Sequence, residues 1–401
     1  MPKRFKFNKK VLNILIPLLV AAVTVSSLAI AGRVSKNYNE NTPSFNNGQT
    51  TEPVTDNGEQ EDASVTLLAA GDNLIHMQII ASGENEDGTL DYNYMYENIK
   101  PYIEAADVAV INQETRLGGS SFEYSGYPVF NSPWEVGEAA INAGFDVFTL
   151  ATDHSMDVGE AGIEKELEFF SKYPDVTHIG TNLTEEDYNS VTYVTVNGIK
   201  LAMLNYTFGT NGISIPEDKP YLINILSEDK VKKDVEEAKQ NADAVIVFPH
   251  WGTENSADIS EQQQTYTKLF AKLGVDVVIG THPHILQKVE WVTDESTGHK
   301  TLVYYSLGNF ISRHLNLNQM CGGLAEITIE KSAGTVEIKS AKLTPVIDYY
   351  TKDGENYKFS VYKLSDYTDD IAATQAQDGA TVEYFTELVK QTVSEEFLDF
   401  S

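Results

Sequence analysis

Six short apolar runs recur between residues 64 and 306, and helical periods fill the stretches between them. The runs are SVTLLAAG (64–71), ADVAVIN (106–112), FDVFTLA (145–151), ADAVIVF (242–248), VDVVIG (275–280) and TLVYYS (301–306). Their length, β-branched content and lack of alternation mark buried strands. YNYMYENIKPYIEA, PWEVGEAAINAG, MDVGEAGIEKELEFFSKY, EDKVKKDVEEAKQNA and EQQQTYTKLFAKLG space their apolar residues as amphipathic helices do. VTYVTVNGIKLAMLNYTF carries the hairpin signal Asn197-Gly198 between two apolar runs, and GGLAEITIE and TVEIKSAKLTPVI alternate as antiparallel strands. The pattern predicts an α/β domain over 64–347 with an added antiparallel portion. Residues 348–401, tyrosine-rich and then acidic, read as a C-terminal extension with one helix in TVEYFTELVKQTVSEEFL.

What stands immediately after these strands constrains the chemistry. Gly71-Asp72-Asn73 with His76 follows the first, and Asn112-Gln113-Glu114 closes the second. Asp153-His154 follows the third, His250-Trp251-Gly252-Thr253-Glu254 the fourth, and His282-Pro283-His284 the fifth. Carboxyl ends of strands in an α/β sheet form one rim, where ligand sites collect. Five of the eight histidines therefore point at one edge. Any one of them alone is ordinary: a histidine after a strand is commonly a hydrogen-bonded loop residue, and an aspartate after glycine a turn or cap. Their coincidence points to a metal site. With Cys321 the only cysteine, neither a disulfide framework nor a cysteine-rich zinc site is available, and the ligands must be imidazole, carboxylate and amide, a set that suits Zn, Mn or Fe. Cys321 itself reads as a small buried residue. Trp251 reads as packing, Asp157 and Gly159 as a helix start, and His178, His299 and His314 as surface or core residues.

The N-terminus predicts a location. Residues 1–10 carry five positive charges, and residues 11–32 form 22 uncharged positions, long enough to cross a bilayer as a helix with the following domain outside the cytoplasm. A cleaved signal peptide, followed by secretion, is the alternative. Residues 33–63, rich in Asn, Thr, Glu, Pro and Gly, read as a flexible stalk. The chain has a formal net charge of −30, and seven of its 29 basic residues lie within the first 36 positions. So acidic a domain disfavours nucleic acid and anionic lipid surfaces as partners.

GDNLIH, INQET, ATDHSMDVG, FPHWGTE, GTHPHILQ and YSLGNF, in this order and spacing, resemble the CapA family of poly-gamma-glutamate capsule synthesis proteins, a branch of the calcineurin-like metallophosphatase superfamily. The resemblance covers about residues 64–345. It implies a four-layer α/β/β/α sandwich with two central mixed sheets, held outside the membrane by its anchor. It also implies a dinuclear site: Asp72 and His76 on one metal with His284, Glu114 bridging, and Asp153, His250 and His282 on the second, with His154 near the leaving group. Two departures stand out. His76 lies four residues after Asp72 instead of two, and Asp153 replaces the usual asparagine, adding negative charge. Asn112, Glu254 and Asn309 are substrate-side or supporting groups; for Glu254 and Asn309 a loop charge and a turn residue are equal alternatives.

Two divalent ions would activate water and polarise a scissile bond, with His154 and Asp153 as the catalytic side chains. Three functional readings follow. The chain takes part in poly-gamma-glutamate production beside a membrane synthase, as the resemblance implies. It is a metal-dependent hydrolase of a phosphoester or gamma-glutamyl amide. Or it binds metal without turnover as a structural partner.

Overall fold

The computed structural model describes residues 62–401. The basic segment, the apolar span and nearly all of the 33–63 stalk lie outside the described residues. Among the described residues, no helix is long and apolar enough to cross a membrane.

The elements run in the order β1 (Ala63–Asn73), β2 (Val108–Gln113), α1 (Trp134–Ala143), β3 (Val147–Thr149), α2 (Gly159–Phe170), β4 (Thr177–Ile179), β5 (Thr192–Val196), β6 (Ile199–Thr207), α3 (Glu228–Asn241), β7 (Ala244–His250), α4 (Glu261–Leu273), β8 (Val277–Ile279), β9 (Val289–Thr293), β10 (Lys300–Tyr304), β11 (Asn309–Ile311), β12 (Cys321–Ser332), β13 (Thr335–Asp353), β14 (Asn356–Lys363) and α5 (Val382–Thr392), with shorter helical turns between them. They build two mixed sheets. One has the order β14-β13-β12-β1-β2-β3-β4, with β11 also paired to β1; the other has the order β5-β6-β7-β8-β10-β9. In the first, β1 to β4 are parallel and β12 to β14 antiparallel; in the second, β6, β7, β8 and β10 are parallel and both edges antiparallel.

Strand parity explains why these runs are apolar on both faces. In the second sheet Ile199, Leu201, Met203, Ile246, Phe248, Val277, Ile279, Leu302 and Tyr304 join the core shared with the first sheet. Their neighbours Ala202, Leu204, Val245, Val247, Val278 and Val303 pack with Val231, Val235 and Ala238 of α3 and Phe270 of α4. Successive side chains of a strand point to opposite faces, so each run serves two cores. At the β5–β6 turn, Asn197 and Gly198 take φ of 50° and 78°, as the two positive-φ positions of a tight hairpin require.

Two expectations are corrected. YNYMYENIKPYIEA is not one helix: it forms a 3₁₀ turn at Asn93–Tyr96 and a single turn at Lys100–Ile103. Pro101 has no N–H to give, so it is tolerated only in a first turn, and the helix restarts there. Nor does the domain end near 347. β13 runs to Asp353 and pairs with β14 from Val346↔Lys363 to Asp353↔Asn356, so residues 348–401 are part of the sheet and its cover.

This added portion reaches toward the strand-end rim. Asp348 of β13, fully buried, accepts from Ser312 N–H (2.8 Å) and Ser312 Oγ (3.1 Å), fixing the segment that follows β11. Burial pushes the Asp348 carboxyl from 3.8 up to about 7, against the pull of the Ser312 bonds and Arg313. The folded state then holds a proton that the unfolded chain has lost, so stability falls as pH rises from about 4 to about 7 and levels beyond it. Asp348→Asn is expected to flatten this slope, which approaches ~1.4 kcal/mol per pH unit for one group; urea midpoints measured across the window check it.

Candidate metal centre

Register sets the rim. Cα pairing aligns Asp72 with Asn112 and Asn112 with Thr149 across the first sheet, and Thr207 with His250 in the second. Gly71 permits this alignment: a Cβ there would sit 1.9 Å from the Gly308 carbonyl oxygen, which instead accepts from Asp72 N–H at 2.9 Å. His282 and His284 leave the end of β8 with φ of 95° and 59° around Pro283, a backbone that non-glycine residues rarely adopt and that tends to occur at functional sites.

These elements bring Asp72, Glu114, Asp153, His250, His282 and His284 together, all buried. Asp72 Oδ1 accepts from Asn112 Nδ2 (2.9 Å), which Thr149 Oγ1 orients in turn (2.8 Å). His284 Nδ1 lies 3.0 Å from Asp72 Oδ2 and 3.1 Å from Asn309 Oδ1, and its Nε2 faces Glu114 Oε1 at 3.6 Å. His250 Nε2 is 3.0 Å from Asp153 Oδ1 and 3.9 Å from Glu114 Oε1, while its Nδ1 meets Thr281 Oγ1 at 2.9 Å. His282 Nδ1 lies 3.7 Å from Asp153 Oδ2.

Four buried atoms in this cluster have no hydrogen-bond partner: Glu114 Oε1 and Oε2, Asp153 Oδ2 and His282 Nδ1. Each orphaned polar atom in an interior costs free energy, and four converging in one place need a common partner. Ligand atoms of Asp153, His250 and His282 lie within 4.8 Å of one another, as do those of Asp72, Glu114 and His250. Imidazole nitrogens and carboxylate oxygens, short of partners and converging, are the donor set of a divalent transition metal. The residues fit such ions.

The electrostatics agree. Burial first, then Asp72, Asp153 and Glu254, pushes the Glu114 carboxyl well above the usual carboxylate range. Burial opposes ionisation of Asp153 too, but the hydrogen bond and charge of His250 hold it below that range. Burial and then His250 push His282 down to about 3, leaving its ring a neutral donor at physiological pH. Burial is the largest single influence on His284 and lowers it, but the bond to Asp72 and the charges of Asp72, Asp153 and Glu254 together hold it above its ordinary value.

Residues 66–314 match the sequence model of a family described as bacterial capsule synthesis protein PGA_cap. The chain belongs to this family. It is similar to a capsule biosynthesis protein CapA of Bacillus anthracis, 28% identical over 66% of this chain and 63% of that protein. A PGA biosynthesis protein CapA of Bacillus subtilis is 31% identical over 42% of each. This chain therefore spans less than two thirds of either relative's length. Among solved structures, a calcineurin-like phosphoesterase from Bacillus subtilis aligns over 82% of this chain and 97% of its own, at 15% identity and a TM-score of 0.39.

Within this PGA_cap chain His76 stands apart. None of the side-chain groups able to hold a metal among the described residues includes it. The chain leaves β1 at Asn73 and turns into a helix at Met77, so the four-residue spacing carries His76 past the rim. Its Nδ1 lies 3.2 Å from the Leu74 carbonyl and accepts from Arg313 N–H (3.3 Å), and its ring meets Phe130 and His314 edge-on at 5.3 Å. Burial pushes it down to about 4.

His154 stands beside the rim with Nδ1 2.7 Å from Asp157 Oδ2 and Nε2 4.0 Å from Asp153 Oδ1. Asp157, read as a helix start, also orients this histidine; a carboxylate three residues after a histidine was the available signal. His314, read as a surface or core residue, lies with its ring tilted 4.9 Å from that of His284 and accepts from Asn309 Nδ2 (3.0 Å). Asn112 and Asn309 both support ligands, while exposed Glu254 reaches the group of His282 and His284. Trp251 packs fully buried and donates Nε1–H to the Tyr305 carbonyl (3.0 Å). Cys321 is buried.

Asn205 of β6 carried no sequence signal, yet it joins the two halves of the site. It accepts from Leu150 N–H (3.0 Å) and Ala151 N–H (2.7 Å) beyond β3 and donates to the Phe248 carbonyl (2.8 Å) of β7. These segments carry Asp153 and His250. Asn205→Ala removes the side-chain partner of the buried Ala151 N–H and Phe248 carbonyl, while Leu150 N–H keeps its bond to the Ile179 carbonyl (2.8 Å). It is expected to cost about 2 kcal/mol and to weaken metal binding, read by urea unfolding and metal titration.

Proposed function

We propose that this chain is a metal-dependent hydrolase working in poly-gamma-glutamate capsule production, anchored by residues 11–32 with its domain outside the cytoplasm beside a membrane synthase. The carrying observation is the convergence of Glu114 Oε1 and Oε2, Asp153 Oδ2 and His282 Nδ1, all buried and without hydrogen-bond partners. Two divalent ions, of Mn, Zn or Fe, suit it: Asp72 and His284 toward one, Asp153, His250 and His282 toward the other, and Glu114 between. Bound there, such ions supply Lewis acidity and lower the pKa of water. The remaining chemistry belongs to the chain. Asn112, Asn309 and Thr281 fix the orientation of Asp72, His284 and His250. His154, held through Nδ1 by Asp157, presents Nε2 as a proton donor to a leaving group.

Charge favours an amide over a phosphomonoester. Asp72, Glu114 and Asp153, with Glu254 beside His282 and His284, bring four negative charges, as many as two dications carry, which leaves little attraction for a phosphate dianion. A gamma-glutamyl carbonyl is itself neutral, and the carboxylate of its residue lies beyond two methylenes, so the penalty there is smaller. The test is release of new amino groups from poly-gamma-glutamate, and of phosphate from a phosphomonoester, with and without chelator. Chelator-sensitive cleavage of the polymer supports the reading; its absence in metal-loaded protein counts against it. Asp153→Asn is expected to raise the ratio of phosphomonoester to amide cleavage about tenfold, removal of one nearby charge being worth about 1.4 kcal/mol.

A further inference from the structure

Nine large apolar side chains are exposed among the described residues, and five of them, Met77, Tyr127, Val129, Phe208 and Leu315, belong to segments that border the metal centre. Phe208 follows β6, is 36% exposed, and its ring lies 4.6 Å from that of His282. The same loop brings Asn211 Nδ2 to 3.4 Å from His154 Nε2. From the other side Phe130 packs edge-on to His154 (4.7 Å) and His76 (5.3 Å), with the 77%-exposed Tyr127 at 6.4 Å from it. Gly126 backs directly onto Met77, and Leu315 follows His314. Arg313, whose N–H donates to His76, lays its guanidinium over Tyr350 (4.4 Å) and Tyr357 (5.2 Å). The mouth of a buried, charged centre is thus apolar and aromatic, and apolar patches of this kind mark binding surfaces.

We propose that Phe208 and the apolar collar opposite it form the substrate-side surface of this centre, taking the apolar flank of an acyl group whose polar end the carboxylate and imidazole side chains hold. This rests on the hydrolase reading and narrows it to acyl groups with methylene or aryl carbons next to the reacting carbonyl. A gamma-linked glutamyl residue has that form: two methylenes adjoin its carbonyl, with the carboxylate further off. Phe208 determines specificity by contact with those carbons.

Acetohydroxamic and benzohydroxamic acids share a metal-binding head and differ in the flank, which makes them the probes. Calorimetric titration of the full-length chain, loaded with Mn(II), is expected to show benzohydroxamic acid binding about tenfold tighter, an aromatic contact being worth about a factor of ten. Phe208→Ala is expected to reduce the preference to about twofold with metal content unchanged, Phe208→Leu to keep an intermediate preference, and Trp291→Ala, an exposed aromatic away from the rim, to leave it intact. Metal-loaded protein that binds both hydroxamates equally, or neither, or keeps its preference in Phe208→Ala, overturns the collar while sparing the metal reading. Protein that takes up no metal overturns both.

Discussion

Replacing His282 and His284 together by alanine is expected to abolish metal binding and any hydrolysis while leaving the fold in place. His282 Nδ1 is an orphan facing Asp153 Oδ2, and His284 bridges Asp72 and Glu114, so the double change removes a donor from each half of the centre. A missing ligand or its hydrogen-bond support costs roughly 10- to 100-fold in affinity, and two lost together should bring occupancy below detection. The fold should survive, because both side chains stand at the rim and the left-handed backbone at 282 and 284 is relieved by neither substitution nor metal loss. Elemental analysis alongside far-UV dichroism checks both halves. Unchanged metal content in a folded double variant would remove these histidines from the centre.

The largest effect on stability is expected from Arg116→Met. Arg116 and Glu166 form an ion pair with both side chains fully buried. Arg116 Nη2 also donates to the Leu150 carbonyl (2.9 Å), and Glu166 Oε1 accepts from Leu117 N–H (3.2 Å). The pair ties the loop bearing Glu114 to α2 and to the segment before Asp153. Removing the cation leaves a buried carboxylate uncompensated, which costs about 3–5 kcal/mol. Burial already pushes the Glu166 carboxyl up against the pull of Arg116, so the variant should recover part of the loss by taking up a proton at low pH. Arg116→Met with Glu166→Leu should restore roughly half, since apolar replacement of a whole buried pair is often tolerated. Urea midpoints of the two variants decide it, and metal titration of the double variant should still show weakened binding.

Strands and rim were legible because both are written in local pattern. A run buried on two faces must be apolar throughout, and a polar residue that ends such a run stands at the sheet edge, so Asp72, Glu114, Asp153, His250, His282 and His284 could be read as neighbours. His76 was misread because adjacency to a strand end does not say how far the chain has already turned away; the helix at Met77 decides that. Asn205 and the Arg116–Glu166 pair act across sheets or loops distant in sequence, and no local pattern encodes such partners. Asp157 and His314 were visible as residue types, but their roles depend on side-chain direction. The boundary near 347 failed because the edge pairing of β13 with β14 needs only alternating, half-buried residues, which in a tyrosine-rich tail resemble an extension.

On the proposed reading, the carboxylate and imidazole side chains of this rim hold two divalent ions. Metal stoichiometry of the purified full-length chain, by elemental analysis after equilibration with Mn(II) or Zn(II) and removal of free ion, tests it most directly. The prediction is two equivalents per chain, bound with release of protons and with a rise in thermal stability as Glu114 gains a partner. A folded chain that retains no metal under these conditions would contradict it.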